Sequence, residues 1–171
     1  IYIWEDDGYG GAWAMDEPNV VELSDNRLLM FGRTNLGRIY QSISIDGGKR
    51  WSIPTATKLV SSYSPCRLRR IPATGDLICI WNQVSKEEIE RGFRRGRLSS
   101  AISTDDGLTW KNFNTIATSG LDVVNRVPVS EPGFVRAKKE LGVLPVEAIQ
   151  PIHYPNIGFH KKSILINFND K

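Results

Sequence analysis

Glu17, Arg33, Arg95 and Tyr154 are the residues whose types could do chemistry together. A carboxylate can accept a proton, and a guanidinium can hold an anion through two parallel hydrogen bonds. A phenol becomes a nucleophile once a base takes its proton. Its unperturbed pKa is about 10, so that base must stand close by. Arg94 and Arg97 flank Arg95 and enlarge the cationic group. These side chains are far apart in sequence. Only a chain that returns repeatedly to one place could gather them.

The sequence contains such a repeat. Ser42–Trp51 matches Ala101–Trp110, each with the form Ser-x-Asp-x-Gly-x-x-Trp. The offset is constant at 59 (103 − 44, 105 − 46, 110 − 51). The pattern suits a tight turn between strands. Asp accepts hydrogen bonds from turn amides, Gly supplies a positive φ, and Trp covers the hairpin. Runs of strand character precede each copy: Val20–Leu23, Leu28–Phe31 and Arg38–Ser44, then Arg67–Ile71, Leu77–Trp81 and Leu98–Ser103. Ser85–Arg91 reads as a short helix with Ser85 as its cap. A third unit begins at Tyr154–Gly158 and Ser163–Phe168.

Four-stranded units at this period predict an all-β fold built from propeller blades. The expected blades are 17–60 and 61–117, with an inter-blade insertion at 118–152 and the start of a further blade at 153–171. About two and a half blades cannot close a ring, and an open edge exposes unpaired strands. The rest of the propeller is therefore expected on further sequence or on another chain. In such a blade the start of the first strand, the end of the second and the start of the third share one rim. The Ser-x-Asp turns lie on the other. This assigns the turns to structure, and it places Glu17, Arg33, the Arg94–Arg97 cluster and Tyr154 together on the opposite rim.

Composition narrows the remaining classes. The 171 residues carry a formal net charge of +3, and the densest basic stretch, Arg91–Arg97, is short, so no nucleic-acid partner is expected. No apolar run approaches the roughly 20 residues that span a bilayer, so no membrane partner is expected either. His153 and His160 are the only histidines and read as surface or strand-end residues; no metal or other cofactor is implied. Cys66 and Cys79 read as two buried free thiols, with a disulfide as the alternative.

The segment Asp16–Thr34 resembles the part of exo-sialidases that carries the catalytic Glu and the second Arg of a substrate-binding triad, here Glu17 and Arg33. Their spacing of 16 positions (33 − 17) is similar to the family's. Arg95–Gly107 resembles the segment with the third triad Arg, with Arg95 the better match and Arg97 the alternative. Tyr154–Ile157 is similar to the segment that opens with the nucleophilic Tyr. The Ser-x-Asp turns are then the family's Asp boxes, or BNR repeats. The resemblance implies a six-bladed sialidase-type propeller and an exo-α-sialidase activity on terminal sialic acid or a related 2-keto sugar acid. Glu17 and Tyr154 would be catalytic, and Arg33 with Arg95 or Arg97 would bind a sialylated glycan or other acidic sugar.

The family's first triad Arg and its Asp acid/base belong upstream of the matched region, and Asp6, Asp7 and Asp16 do not match that Asp. The Glu that orients the first Arg would fall at or past Lys171. The isolated chain is therefore expected to be inactive and to supply about half of a site. Plainer readings stand beside these. Glu17 could cap a turn, Arg33 and Arg95 could be surface cations, and Tyr154 could pack on Pro155. Trp4, Tyr9 and Trp13 could wall a sugar pocket or anchor the Gly8–Gly11 loop. The whole could be a non-catalytic Asp-box propeller that binds carbohydrate or protein.

Overall fold

The two Ser-x-Asp turns impose the local chain path. A computed structural model describes residues 2–3, 13–34, 36–84, 95–118 and 152–170. In it both turns close in the same way. Ser44 Oγ donates to Asp46 Oδ1 at 2.9 Å and accepts from the Gly48 amide at 2.9 Å, while the Arg50 amide donates to Asp46 Oδ1 at 2.8 Å. Ser103, Asp105, Gly107 and Thr109 repeat those bonds, each at 2.8 Å. Gly48 and Gly107 both sit at φ 89°, where a side chain would be strained. The tryptophans diverge. Trp51 Nε1 donates to the Gly48 carbonyl at 3.0 Å, whereas Trp110 packs on Phe31 at 5.7 Å between centroids.

Each turn joins the third and fourth strands of an antiparallel sheet. After the short pair β1 (Tyr2–Ile3) and β2 (Trp13–Ala14), the first sheet runs β3 (Asp16–Glu22), β4 (Leu28–Arg33), β5 (Arg38–Ser44) and β6 (Thr55–Val60) in chain order. The second runs β7 (Arg67–Arg70), β8 (Leu77–Trp81), β9 (Arg97–Ser103) and β10 (Lys111–Thr118). A hairpin of β11 (Ile152–His160) and β12 (Ser163–Asp170) follows. The described residues are all-β, as expected of a propeller-type fold: two four-stranded antiparallel sheets in chain order and a further hairpin. The first strands β3, β7 and β11 pack side by side. The expected helix at Ser85–Arg91 and nearly all of the 118–152 insertion lie outside the described residues.

Burial follows the period of two that strands impose. In β3, Asn19 and Val21 are buried while Val20 and Glu22 are exposed. Leu29, Phe31, Ile39, Leu59, Leu68, Leu77 and Trp81 fill a core between the first two sheets. Ile78, Ile80, Leu98, Ile152 and Ile157 fill a second one between the second sheet and the hairpin. Cys66 and Cys79 belong to the first core as free thiols, and burial pushes the Cys79 thiol up, with Cys66 adding to the shift.

The Asp-box end also fastens the first two sheets. Asp106 accepts from the Ser24 amide at 3.0 Å and pairs with Arg70 at 2.8 Å, while Arg70 Nε donates to the Glu22 carbonyl at 3.1 Å. Asp106 stands where the first turn has Gly47, and it adopts the same left-handed backbone (φ 56° against 71°). Asp tolerates that region better than most residues.

The same bonds predict acid sensitivity. The Thr109 hydroxyl, then the Thr109 amide and the Ser103 hydroxyl, hold the Asp105 carboxyl at about 2 against its ordinary 3.8. The Arg50 amide lowers Asp46 likewise. A depressed folded-state pKa contributes stability that is complete above the unfolded value, about 4, and is lost as pH falls through the folded value. Acid titration followed by Trp fluorescence should therefore show stability declining from about pH 4 towards 2. D105N should be less stable at neutral pH and lose less in that window. An unchanged acid slope in D105N would refute the assignment.

Candidate active site on the rim opposite the Asp boxes

Glu17 lies at the start of β3 and Arg33 at the end of β4, so antiparallel pairing brings them to one rim. The alternation of β3 is broken there. Asp16 pairs with Arg33 and Asn19 with Phe31, so β3 advances three positions while β4 advances two. The extra residue is a β-bulge, a device that re-aims a side chain. Glu17 within it has φ 46°. β11 repeats the arrangement. His153 pairs with Asn169 and Asn156 with Asn167, and Tyr154 between them has φ 52°.

These two residues stand apart from the other left-handed positions. Asn26, Asp106 and Asn112 are of types that tolerate positive φ, and Lys161 lies in the turn between β11 and β12. Glu17 and Tyr154 have neither excuse, and each precedes a proline, whose ring pushes the preceding residue towards extended conformations. Such backbone costs on the order of 1–3 kcal/mol and persists only where the surroundings hold it.

A chain of contacts runs along the rim. Arg33 Nη1 lies 3.0 Å from Glu17 Oε2, and Arg33 Nη2 lies 3.9 Å from Asp16 Oδ2. The close pair is an ion pair without hydrogen-bond alignment, since Glu17 Oε2 is buried and accepts no hydrogen bond. The Arg33 guanidinium rests on the Tyr63 ring, 4.3 Å from its centroid. That is within the range of a cation–π contact. Tyr63 Oη donates to Asp16 Oδ2 at 2.7 Å, and this bond, with burial, raises the Tyr63 pKa. Arg95 Nη2 donates to the Tyr63 carbonyl at 3.3 Å, and its guanidinium lies 5.8 Å from the Tyr154 ring centroid. Glu17, Arg33, Tyr63, Arg95 and Tyr154 are thus linked in series.

Arg97 takes a different place. It opens β9, is 1% exposed, and directs Nη1 to Thr115 Oγ1 at 3.4 Å. Arg95 is only partly buried. Arg94, Trp4, Tyr9 and the Gly8–Gly11 loop lie outside the described residues, as do Asp6 and Asp7 and the side chain of Trp13. His160 is exposed beside the β11–β12 turn.

Sequence reasoning missed Asp16 as a partner of Arg33, and it missed Tyr63 and Asn82 altogether. Asn82 is fully buried just after β8. Its amide donates to the Arg97 carbonyl at 2.8 Å and to the Ile152 carbonyl at 2.7 Å, and the Ile152 amide donates to the Arg95 carbonyl at 2.9 Å. The segments bearing Arg95 and Tyr154 are tied together in this way. One signal was available. Glu17-Pro18 and Tyr154-Pro155 lie near the start of the first strands β3 and β11, and Ser64-Pro65 comes just before β7, which suggests related positions.

No curated protein matches the chain. Among solved structures, it is similar to a leech intramolecular trans-sialidase complexed with 2,7-anhydro-Neu5Ac. The match has 22% identity and a TM-score of 0.44, and covers 67% of this chain and 20% of that one. It is also similar to the intramolecular trans-sialidase from Ruminococcus gnavus in complex with oseltamivir carboxylate. There the identity is 19% and the TM-score 0.43, with 67% of this chain and 27% of that one covered. The chain thus spans about a fifth to a quarter of the length of these proteins. The model of the BNR repeat-like domain family matches residues 4–163, nearly the whole length and both Asp boxes, and the chain belongs to that family.

Proposed function

We propose that this chain forms part of the active site of a retaining exo-glycosidase that releases terminal sialic acid or a related 2-keto sugar acid. The observation that carries the reading is the linked series Glu17, Arg33, Tyr63, Arg95 and Tyr154 on one rim. Two arginines converge on one residue, Tyr63, Arg33 at its ring and Arg95 at its carbonyl. A sugar whose carboxylate sits on the reacting carbon needs such cations, and it would repel a carboxylate nucleophile. A neutral Tyr avoids that repulsion, and sialidases are a recognised case of its use.

In the proposed reaction Glu17 takes the Tyr154 phenolic proton as Tyr154 Oη attacks the anomeric carbon. The bond to the leaving oxygen breaks, and that oxygen takes a proton from an acid elsewhere in the propeller. Water, deprotonated by the same acid/base, then displaces Tyr154, and Glu17 returns the phenolic proton. Arg33 and Arg95 hold the substrate carboxylate by charge-assisted hydrogen bonds. Arg33 changes partner on binding, from Glu17 to substrate, which leaves the Glu17 carboxylate free to act as the base.

The test compares a fluorogenic sialoside with neutral glycosides on the full-length polypeptide. Turnover of the sialoside alone is expected, and R33M should lower kcat/KM by about 30-fold or more, because removing one member of a desolvated charge pair costs roughly 2–5 kcal/mol. Sialoside binding without turnover would point instead to a lectin-like propeller. Preference for a neutral sugar would overturn the proposal.

A further inference from the structure

Arg67 opens β7, the strand that lies between those bearing Glu17 and Tyr154. Its Nε donates to the Pro155 carbonyl at 2.9 Å, and its Nη1 lies 3.5 Å from Asn19 Oδ1. Asn19 is buried, and its side-chain amide in turn lies 3.5 Å from the Glu17 carbonyl. One guanidinium therefore touches both bulges. It meets the residue after Tyr154 on one side and the residue two after Glu17 on the other.

Both bulges need outside support. Each places a left-handed residue ahead of a proline, with one extra residue against its partner strand. The strand ladder itself is interrupted at both, so it cannot fix their mutual distance. Arg suits the task for a physical reason. Its planar fork presents donors in fixed directions, so two acceptors bound to it are held at a set separation. A Lys ammonium on its flexible stem could reach one acceptor but would not fix two.

We infer that Arg67 is a positioning residue that sets the Glu17 bulge against the Tyr154 bulge, and thereby the reach over which the Tyr154 proton passes to its base. The inference rests on the glycosidase reading of Glu17 and Tyr154. Arg67 itself is not placed on substrate. Its loss should therefore act on kcat and leave KM nearly unchanged, because a misplacement of about 1 Å in reacting groups can cost about 100-fold in rate.

The experiment uses the full-length polypeptide and the variants R67M and R67K. R67M is expected to lower kcat about 100-fold with little change in KM, and R67K to recover part of that loss. Thermal melts of both variants separate this from a loss of folded protein. A crystal structure of R67M supplies a second readout that needs no turnover. It should show the 154–156 segment displaced against Glu17 by about 1 Å or more. Wild-type kcat in R67M, a kcat loss that only follows the folded fraction, or an undisplaced 154–156 segment would overturn the role. An inactive wild type would sink the glycosidase reading instead, and the crystal comparison would still decide Arg67.

Discussion

Replacing Tyr154 by Phe in the full-length polypeptide is expected to reduce sialoside turnover by about a thousandfold or more, the scale seen when a covalent nucleophile is removed. Only the hydroxyl is lost. The ring remains to receive the Arg95 guanidinium, 5.8 Å away, and Pro155 still follows with its carbonyl bound by Arg67. Substrate affinity and folding should therefore change little, and the loss should fall on kcat. E17Q should give a smaller loss, about 100-fold to 10,000-fold, because it removes the proposed general base and keeps the proposed nucleophile. It also replaces the carboxylate beside Arg33 by a neutral amide. Arg33 would then be freer for substrate, so KM should fall or hold. Steady-state kinetics on a fluorogenic sialoside separate these patterns. If Y154F keeps wild-type kcat, Tyr154 is not the nucleophile.

The left-handed backbone at both positions gives this prediction a physical footing beyond the resemblance. The side chains at bulged positions leave the alternation of their strands. Neither Glu nor Tyr gains stability from positive φ, and a Gly or Asn there would relieve strain. A fold selected only for stability has no reason to keep them. Strain held at two equivalent positions, in the first strands β3 and β11 of their sheets, points from an observed outlier to function, the direction in which such an argument is sound.

Much of this was readable in the sequence because it depends on local patterns. The constant spacing of the two Asp boxes gave the blade register, and strand alternation gave the direction of each rim. Glu17, Arg33, Arg95 and Tyr154 followed from these two facts and the resemblance. What stayed hidden depends on contacts across sheets. Tyr63 meets Asp16 from 47 positions away, and Arg67 meets Pro155 from 88. No period in the chain encodes such pairs. The bulges were hidden for another reason. Glu and Tyr are poor choices for left-handed backbone, so local preference argues against the conformation they adopt. The resemblance ranked Arg95 ahead of Arg97, but the different burial of two residues in one Arg-Gly-Arg run was not legible: Arg97 is 1% exposed and Arg95 is only partly buried.

Trp81→Ala is expected to cost about 3–5 kcal/mol of stability, as large-to-small changes of buried aromatics do. Trp81 is fully enclosed at the end of β8 and belongs to the core between the first two sheets. Its Nε1 donates to the Val60 carbonyl at 2.8 Å, a bond between sheets, and Phe113 meets its ring edge-on at 6.1 Å. Ala leaves a cavity there and strips that carbonyl of its donor. Trp81→Phe keeps most of the volume and should cost about 1–3 kcal/mol, chiefly through the carbonyl left unpaired. Urea melts should show lower midpoints in both variants with the slope unchanged. A W81A midpoint close to wild type would refute the claim that this core joins the sheets. The consequence reaches the site as well. Val60 lies three residues before Tyr63, and Asn82 immediately follows Trp81. The indole therefore fixes the segment that carries the platform for Arg33 against the one whose Asn82 ties the Arg95 and Tyr154 segments together. W81F, still folded, should accordingly lose more kcat than its folded fraction explains.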